Sequence, residues 1–365
     1  MADQNIFEKT HMVRKVMQHV FGMPNSGGPV RALERLLAAS GNRYGVIVQL
    51  KAARGLNIAL LYRFVREIRR FNPELIHVRG LGNEGFHGVL AAKIAGVPRI
   101  LISIHGTQRD LGDEKLSLRR RIVIHLLEPL SLHFATAIST VSEFGITRDF
   151  LAKYSHKVVG YVPNGVPLPS TDRPGCQSTL DALGLDKSKP VGVCVSRVTV
   201  EKGYLILADA LKILEKQNTA LSVLIIGGGD EDGAIKKEFQ ELHNIDVRFL
   251  GERKDVDIFL AIADLFIFPT LHENLSNSLL EAMSHSLPVV ATAVGGNIEV
   301  LKDGGGILVE KGNARKLADA VKCLLSDSER SFQMGREARA NVEANYSLQR
   351  MVSGWEHLYE KLLDE

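Results

Sequence analysis

No run of 18 or more apolar residues, the length that spans a bilayer, occurs in the 365 residues, and the opening stretch MADQNIFEKTHMVRK has no apolar segment for a signal peptide. Integral-membrane and secreted classes are set aside, and a cytoplasmic location is expected. Cysteine is scarce. Cys176, Cys194 and Cys323 lie far apart, with neither metal-ligand nor redox-pair spacing, so they read as buried or incidental thiols in a reducing compartment. The dinucleotide fingerprint G-x-G-x-x-G is missing after the first strand, which lowers that reading. Compositional bias is missing too: 45% hydrophobic and 24% charged residues exclude a disordered, collagen-like or low-complexity chain.

The length is instead that of two compact units with separate cores. The Pro-rich stretch VPNGVPLPSTDRPG suggests a linker at 166–175, between a unit at 1–165 and a second at 176–346. The net charge of +3 conceals an asymmetry across this boundary. Residues 1–165 carry 23 Lys+Arg and 12 Asp+Glu, a balance of +11, while the remainder carries 22 and 30, a balance of −8. Such asymmetry points to a polyanionic partner for the first half.

Short β-branched runs alternate with helical patterns in both halves, the signature of parallel sheets built from βαβ units. RKVMQHV, YGVIVQL, ELIHV, RILISIH, FATAIST and KVVGYV are the strand candidates of the first half; PVGVCVS, LSVLIIG, IDVRFL, DLFIF, PVVAT and GILV are those of the second. The expected fold is therefore α/β, two doubly wound Rossmann-like sheets in tandem facing a central cleft. Ligands of such sheets bind outside the carboxyl ends of the strands, so the loops there are where chemistry is sought. Residues 347–365 form an amphipathic helix with Met351, Trp355, Leu358 and Leu362 on one face.

Four places carry candidate chemistry. The Gly-rich turn GMPNSGGPV opens a helix at Pro29, and Gly27 and Gly28 permit close approach of an anion to its amides, although a tight strand-to-helix turn would also need glycine. His105, at the end of RILISIH, puts an imidazole that can titrate near neutrality at a carboxyl edge, where a structural histidine is the plainer alternative. VCVSRVTVEKG delivers Arg197 and Lys202 beside a helix start, a site for a diphosphate, or else a pair of solvated charges. In FPTLHENLSNSLLEAM, Glu273 precedes a turn and Glu281 lies eight residues on, among apolar neighbours where an unpaired charge is costly. Both carboxylates can face one ligand's hydroxyls while the amides near Asn277, Ser278 and Leu279 face its phosphates. Asp255 and Asp257 spell D-x-D, but they start a helix, where aspartate serves as a cap, so no metal is assigned to them. GGGDEDG after LLII is expected to flank the cleft.

In order along the chain, GGP, H-G, VPNGV, S-R-x4-K-G, GGG, E-x7-E and VVAT-x-VGG-x-E resemble glycosyltransferase family four, retaining nucleotide-sugar enzymes of the GT-B fold. The resemblance spans nearly the whole chain. It implies that Gly28 approaches the donor, Arg197 and Lys202 hold its diphosphate, Glu281 holds the ribose, Glu273 reaches the transferred sugar and His105 lines the reaction centre. It also implies a C-terminal helix returning to the first domain, which serves the acceptor. The partners expected are a nucleotide-sugar donor, UDP-linked, and a glycan or lipid-linked acceptor of cell-surface polysaccharide or glycolipid synthesis. Neither a resident cofactor, a metal nor a nucleic-acid partner is expected. HENLSN departs from the commoner E-G-F-G, so the pocket for the donor sugar differs in shape. Arg clusters with apolar faces at 63–71 and 116–134 suggest peripheral contact with the anionic inner face of the plasma membrane, against simple packing of these helices on the sheet. A nucleotide-sugar 2-epimerase of the same architecture and a non-catalytic partner subunit are the alternatives. Fold alone does not choose among them.

Overall fold

The computed structural model describes residues 15–22, 27–40, 44–49, 55–110, 117–170, 181–231 and 233–365. The N-terminal segment through residue 14, residues 23–26 of the Gly-rich stretch, the expected linker residues 171–175, Cys176 and Asp232 lie outside the described residues.

Two six-stranded parallel sheets follow one another along the chain. The first contains β1 (Val16–Phe21), β2 (Gly45–Gln49), β3 (Leu75–Arg79), β4 (Arg99–Ile104), β5 (Ala137–Thr140) and β6 (Val158–Tyr161), in the order β2-β1-β3-β4-β5-β6. The second contains β7 (Val191–Val195), β8 (Ser222–Ile226), β9 (Asp246–Gly251), β10 (Leu265–Phe268), β11 (Val289–Thr292) and β12 (Gly306–Val309), in the order β12-β11-β10-β7-β8-β9. Each run of β-branched residues named from the sequence forms its strand. The strand order reverses between β7 and β10 in the second sheet, and between β1 and β3 in the first. Ligands of doubly wound sheets sit at such reversals.

The helices that bear on the site are, in chain order, α1 (Gly27–Ser40), α2 (Glu143–Ile146), α3 (Val256–Ile262), α4 (Asn277–Ser284), α5 (Gly296–Leu301) and α6 (Leu348–Asp364). Two details differ from expectation. Helix α1 starts at Gly27, two residues before Pro29, because a proline in the first turn lacks only an N–H that would have no partner there. Asp255 does sit at the N-cap of α3, but its side chain makes no capping bond.

Separate cores cover the faces of each sheet. Helix α6 is capped by Ser347, whose side chain accepts from Arg350 N, and its apolar stripe of Met351, Trp355, Leu358 and Leu362 completes the core beside β1 and α1. Fully burying a side chain of this size contributes roughly 1.5–3 kcal/mol. The last helix is therefore part of the first domain, reached by a crossing at which Val166 bridges Ser347. Cys194 is buried in the second core, where burial pushes its thiol pKa up, and Cys323 is half-buried; both are free thiols.

Candidate active site

The reversal between β7 and β10 gathers the second-half candidates. Strand β7 ends at Val195 and releases Ser196 and Arg197; β10 ends at Phe268 and leads through Pro269 to Glu273. Between the two halves these loops enclose a cleft of about 740 Å³, with Arg197, Lys202, Glu273, Asn277, Ser278 and Gly28 on its wall. Gly227, Gly228 and Gly229, from the GGGDEDG run, line it as well. A second hollow of about 460 Å³ near α2 and α5 is lined by Glu143, Glu299 and Asp303 beside Lys302 and Arg350. Carboxylates outnumber cations there, whereas Arg31, Arg197, Lys202 and Arg253 outnumber Glu252 and Glu273 on the wall of the larger cleft, which suits an anion better.

Glycine shapes the wall where backbones touch. Gly203, at φ +77°, lies so close to Pro269 that an added Cβ would stand 1.9 Å from its carbonyl oxygen. Gly295 and Gly296 abut the backbone of Glu273 and Asn274 with equivalent clearances of 1.8 and 1.9 Å. The VGG run therefore exists to let α5 start against the Glu273 loop, and it locks that loop in place.

Lys202 Nζ lies 2.8 Å from Glu273 Oε2, and Glu273 Oε1 accepts from Asn274 N at 3.1 Å. The two residues assigned to different parts of one ligand hold each other. Arg197 is exposed on the wall and pairs with no carboxylate among the described residues. Helix α4 starts here under a Ser276 cap whose Oγ accepts from Leu279 N at 3.2 Å. This corrects the expectation for Leu279, whose amide is taken by the cap and whose side chain is in the core. The first-turn amides of Asn277 and Ser278 lack intrahelical acceptors and remain for an anion. Asn277 Nδ2 donates to the Gly28 carbonyl oxygen at 3.3 Å, joining the halves across the cleft. Gly27 begins α1.

Glu281, 7% exposed, is also off the wall. Its Oε1 accepts from Arg35 Nη2 at 2.5 Å and lies 3.9 Å from Arg31 Nη1, so α1 supplies its partners across the domain junction. The sequence reading missed Arg31, a wall residue, and Arg35. Their signal was present, since a spacing of four places both on one helical face just after the Gly-rich turn. Arg253, another wall cation, was also missed. It holds Asp255 through two hydrogen bonds of 2.8 and 2.6 Å, while Asp257 accepts from His285 at 3.2 Å. Each of the D-x-D carboxylates thus has a protein partner, and Asp257 stays largely exposed.

His105, just past the end of β4, is off the wall of the cleft and half-buried. Burial, reinforced by the Arg79 charge, pushes its pKa down to about 3. This corrects the expectation of a group titrating near neutrality: at physiological pH the imidazole is neutral and a poor base. Its Nε2 lies 3.1 Å from Ser103 Oγ, and its Nδ1 is buried without a protein partner.

Two Rossmann-like sheets meeting at a cation-lined cleft define the GT-B class of two-domain α/β enzymes. Residues 178–341 match the family described as glycosyl transferases group 1, and residues 12–169 match glycosyltransferase family 4. The chain belongs to the family 4 glycosyltransferases. Among curated relatives, a GDP-mannose-dependent monoacylated alpha-(1-6)-phosphatidylinositol monomannoside mannosyltransferase of Corynebacterium glutamicum is 28% identical over 74% of this chain and 70% of its own. An Escherichia coli UDP-Gal:alpha-D-GlcNAc-diphosphoundecaprenol alpha-1,3-galactosyltransferase is 25% identical, covering 80% of this chain and 76% of its own. The solved structure of Anabaena HepE in complex with UDP-glucose superposes with a TM-score of 0.80 at 19% identity, covering 95% of this chain and 99% of that one.

Proposed function

We propose that the chain moves a hexosyl group from a nucleotide diphosphate sugar, with UDP as the carrier, to a hydroxyl of a glycan or lipid-linked acceptor, retaining anomeric configuration and needing no metal. One observation carries the reading: Arg197, Lys202, the Gly227–Gly229 turn and the start of α4 converge on one cleft between the carboxyl edges of two sheets. Cleavage of the sugar–phosphate bond leaves an oxocarbenium-like sugar and a diphosphate whose charge grows in the transition state. Preorganised cations and helix amides aimed at that charge supply the main catalytic term. A diphosphate that takes Lys202 from Glu273 frees the carboxylate to accept hydrogen bonds from sugar hydroxyls, which couples leaving-group binding to sugar binding. The acceptor oxygen bonds to the anomeric carbon on the face the diphosphate leaves, and the acceptor proton passes to a departing phosphate oxygen. His105, neutral and weakly basic, hydrogen-bonds near the transferred sugar and does not remove that proton.

The relatives favour this chemistry, two of them using GDP-mannose and UDP-Gal with lipid-linked acceptors by their names. A melting panel of UDP, GDP, ADP and their sugars in EDTA tests the donor, because a ligand bound only by the folded state raises Tm. UDP compounds are expected to give the largest shift. Acceptor-dependent nucleotide release and an NMR assignment of the new linkage test transfer and retention; interconversion of two nucleotide sugars without acceptor would establish the epimerase instead.

Membrane contact belongs to the same reading. No helix among the described residues is long and apolar enough to cross a membrane. Leu118, Ile122 and Leu126 are exposed beside exposed Arg119 and Arg121, apolar and basic groups on one surface. Reversible, salt-sensitive sedimentation with anionic vesicles is expected, weakened when Arg119, Arg120 and Arg121 become Glu. Equal sedimentation with neutral vesicles would point to a soluble acceptor.

A further inference from the structure

Arg79, the last residue of β3, is 3% exposed and pairs with no carboxylate among the described residues. A guanidinium so buried ordinarily needs a counter-charge. Here neutral groups surround it: Gln18 Oε1 accepts from Arg79 Nη1 at 2.6 Å, the Trp355 ring lies 5.8 Å away, and the Tyr359 hydroxyl is within its reach. Gln18, Tyr359, His77 and Ser103 continue from it as a buried polar layer under α6 that ends at His105.

The direction of the protons in this layer follows from donor inventory. Arginine only donates, so the Gln18 atom facing it is the oxygen and the amide nitrogen faces Tyr359, at 3.2 Å from its hydroxyl. The Tyr359 oxygen therefore accepts from Gln18. Its own proton goes to His77 Nδ1 at 2.7 Å, the nearer acceptor, because Gln18 Oε1 is 3.4 Å away and already bound by Arg79. His77 then carries its proton on Nε2 and donates to Ser103 Oγ at 2.7 Å. The Ser103 hydroxyl is left to donate to His105 Nε2 at 3.1 Å. With Nε2 accepting that bond, the ring proton of His105 lies on Nδ1, the buried atom that has no partner among the described residues.

We infer that Tyr359, His77 and Ser103 are positioning residues that hold His105 as the neutral Nδ1–H tautomer, with an N–H donor, not a lone pair, on the atom that the described residues leave without a partner. This rests on the reading of His105 as part of the reaction centre. Burial and the Arg79 charge keep both His77 and His105 unprotonated, so the chain of donors is not broken near neutral pH. Arg79 sets the polarity of the whole relay. A tyrosine on the last helix thus controls a hydrogen bond at the edge of β4.

Long-range 15N–1H NMR of the full chain labelled at histidine reads the tautomer directly, and nucleotide release from UDP-glucose reads turnover. The unmodified protein should show a pyrrole-type Nδ1 and a pyridine-type Nε2 at His105. Tyr359→Phe keeps the ring beside Trp355 and removes the hydroxyl; it should mix the tautomers of His77 and His105 and lower kcat roughly tenfold, with donor KM within about twofold. Ser103→Ala should mix the tautomers of His105 and leave Nδ1 of His77 unprotonated. A His105 proton on Nε2 in the unmodified protein, or tautomers unmoved in both variants, would overturn the relay. Shifted tautomers with unchanged turnover would overturn the positioning role by removing His105 from the reaction. Failure of the transferase reading is distinct, since the unmodified protein would then transfer sugar from none of the donors.

Discussion

Glu281 is held from the other domain. Its carboxylate accepts from Arg35 at 2.5 Å, so any ribose that uses it must share it with α1. A contact made equally in ground and transition states affects binding more than turnover. Glu281→Ala should therefore lower nucleotide affinity about tenfold or more while changing kcat little, and Glu281→Gln, which keeps shape, should fall between. Calorimetry on protein shown to be folded checks this. Unchanged affinity would leave Glu281 as a domain contact with Arg35 and nothing more. Its pairing was foreseeable in kind, because a carboxylate among apolar neighbours needs a partner, but not in identity, because Arg35 is 246 residues distant.

The elements were largely legible and their junctions were not. Strands announce themselves by short β-branched runs, and all twelve form as read, since buried parallel strands need continuous apolar sequence. The anion-binding turns were visible as glycines followed by helices. What pattern could not supply was the approach of one loop to another, such as Gly295 to Glu273, or the commitment of the Leu279 amide to Ser276. Gly295 gives the sharpest element-scale test. At φ +47°, with a Cβ position 1.8 Å from the Glu273 oxygen, Gly295→Ala must push the Glu273 loop away from α5. A loss of about 2–4 kcal/mol in stability by urea denaturation is expected, together with weaker donor binding. An alanine variant as stable as the unmodified protein would show that the two segments are not locked together.

Across the whole molecule, the first domain concentrates buried neutral histidines. His19 and His77 are fully buried; desolvation first, and the Arg79 charge second, pushes His19 down to about 3 and His77 well below its ordinary value. In the unfolded chain both would protonate below 6.5. The unfolded state then binds more protons than the native state, so their contribution is complete above pH 6.5 and is lost as pH falls, for His19 down toward 3. His19 should cost about 1.4 kcal/mol per pH unit in that window, and His77 adds a loss of the same sign. Melting followed by Trp355 fluorescence, the single tryptophan and a first-domain residue, should show Tm falling steeply between pH 6 and about pH 4, whereas a Tm flat through that range would mean these imidazoles are solvated. None of this was legible from the sequence, because the relay joins residue 18 to residue 359 and exists only once α6 has folded back on the first sheet.

The central claim is that the cleft between the halves holds a nucleoside diphosphate through Arg197 and Lys202. Titration calorimetry of UDP into the full chain in EDTA tests it most directly, beside the Arg197→Ala and Lys202→Ala variants. The account predicts saturable binding without metal, at least tenfold weaker in each variant, and turnover lowered by about 2–4 kcal/mol of transition-state stabilisation. Equal affinity in all three proteins, or binding that appears only when manganese replaces EDTA, would contradict it.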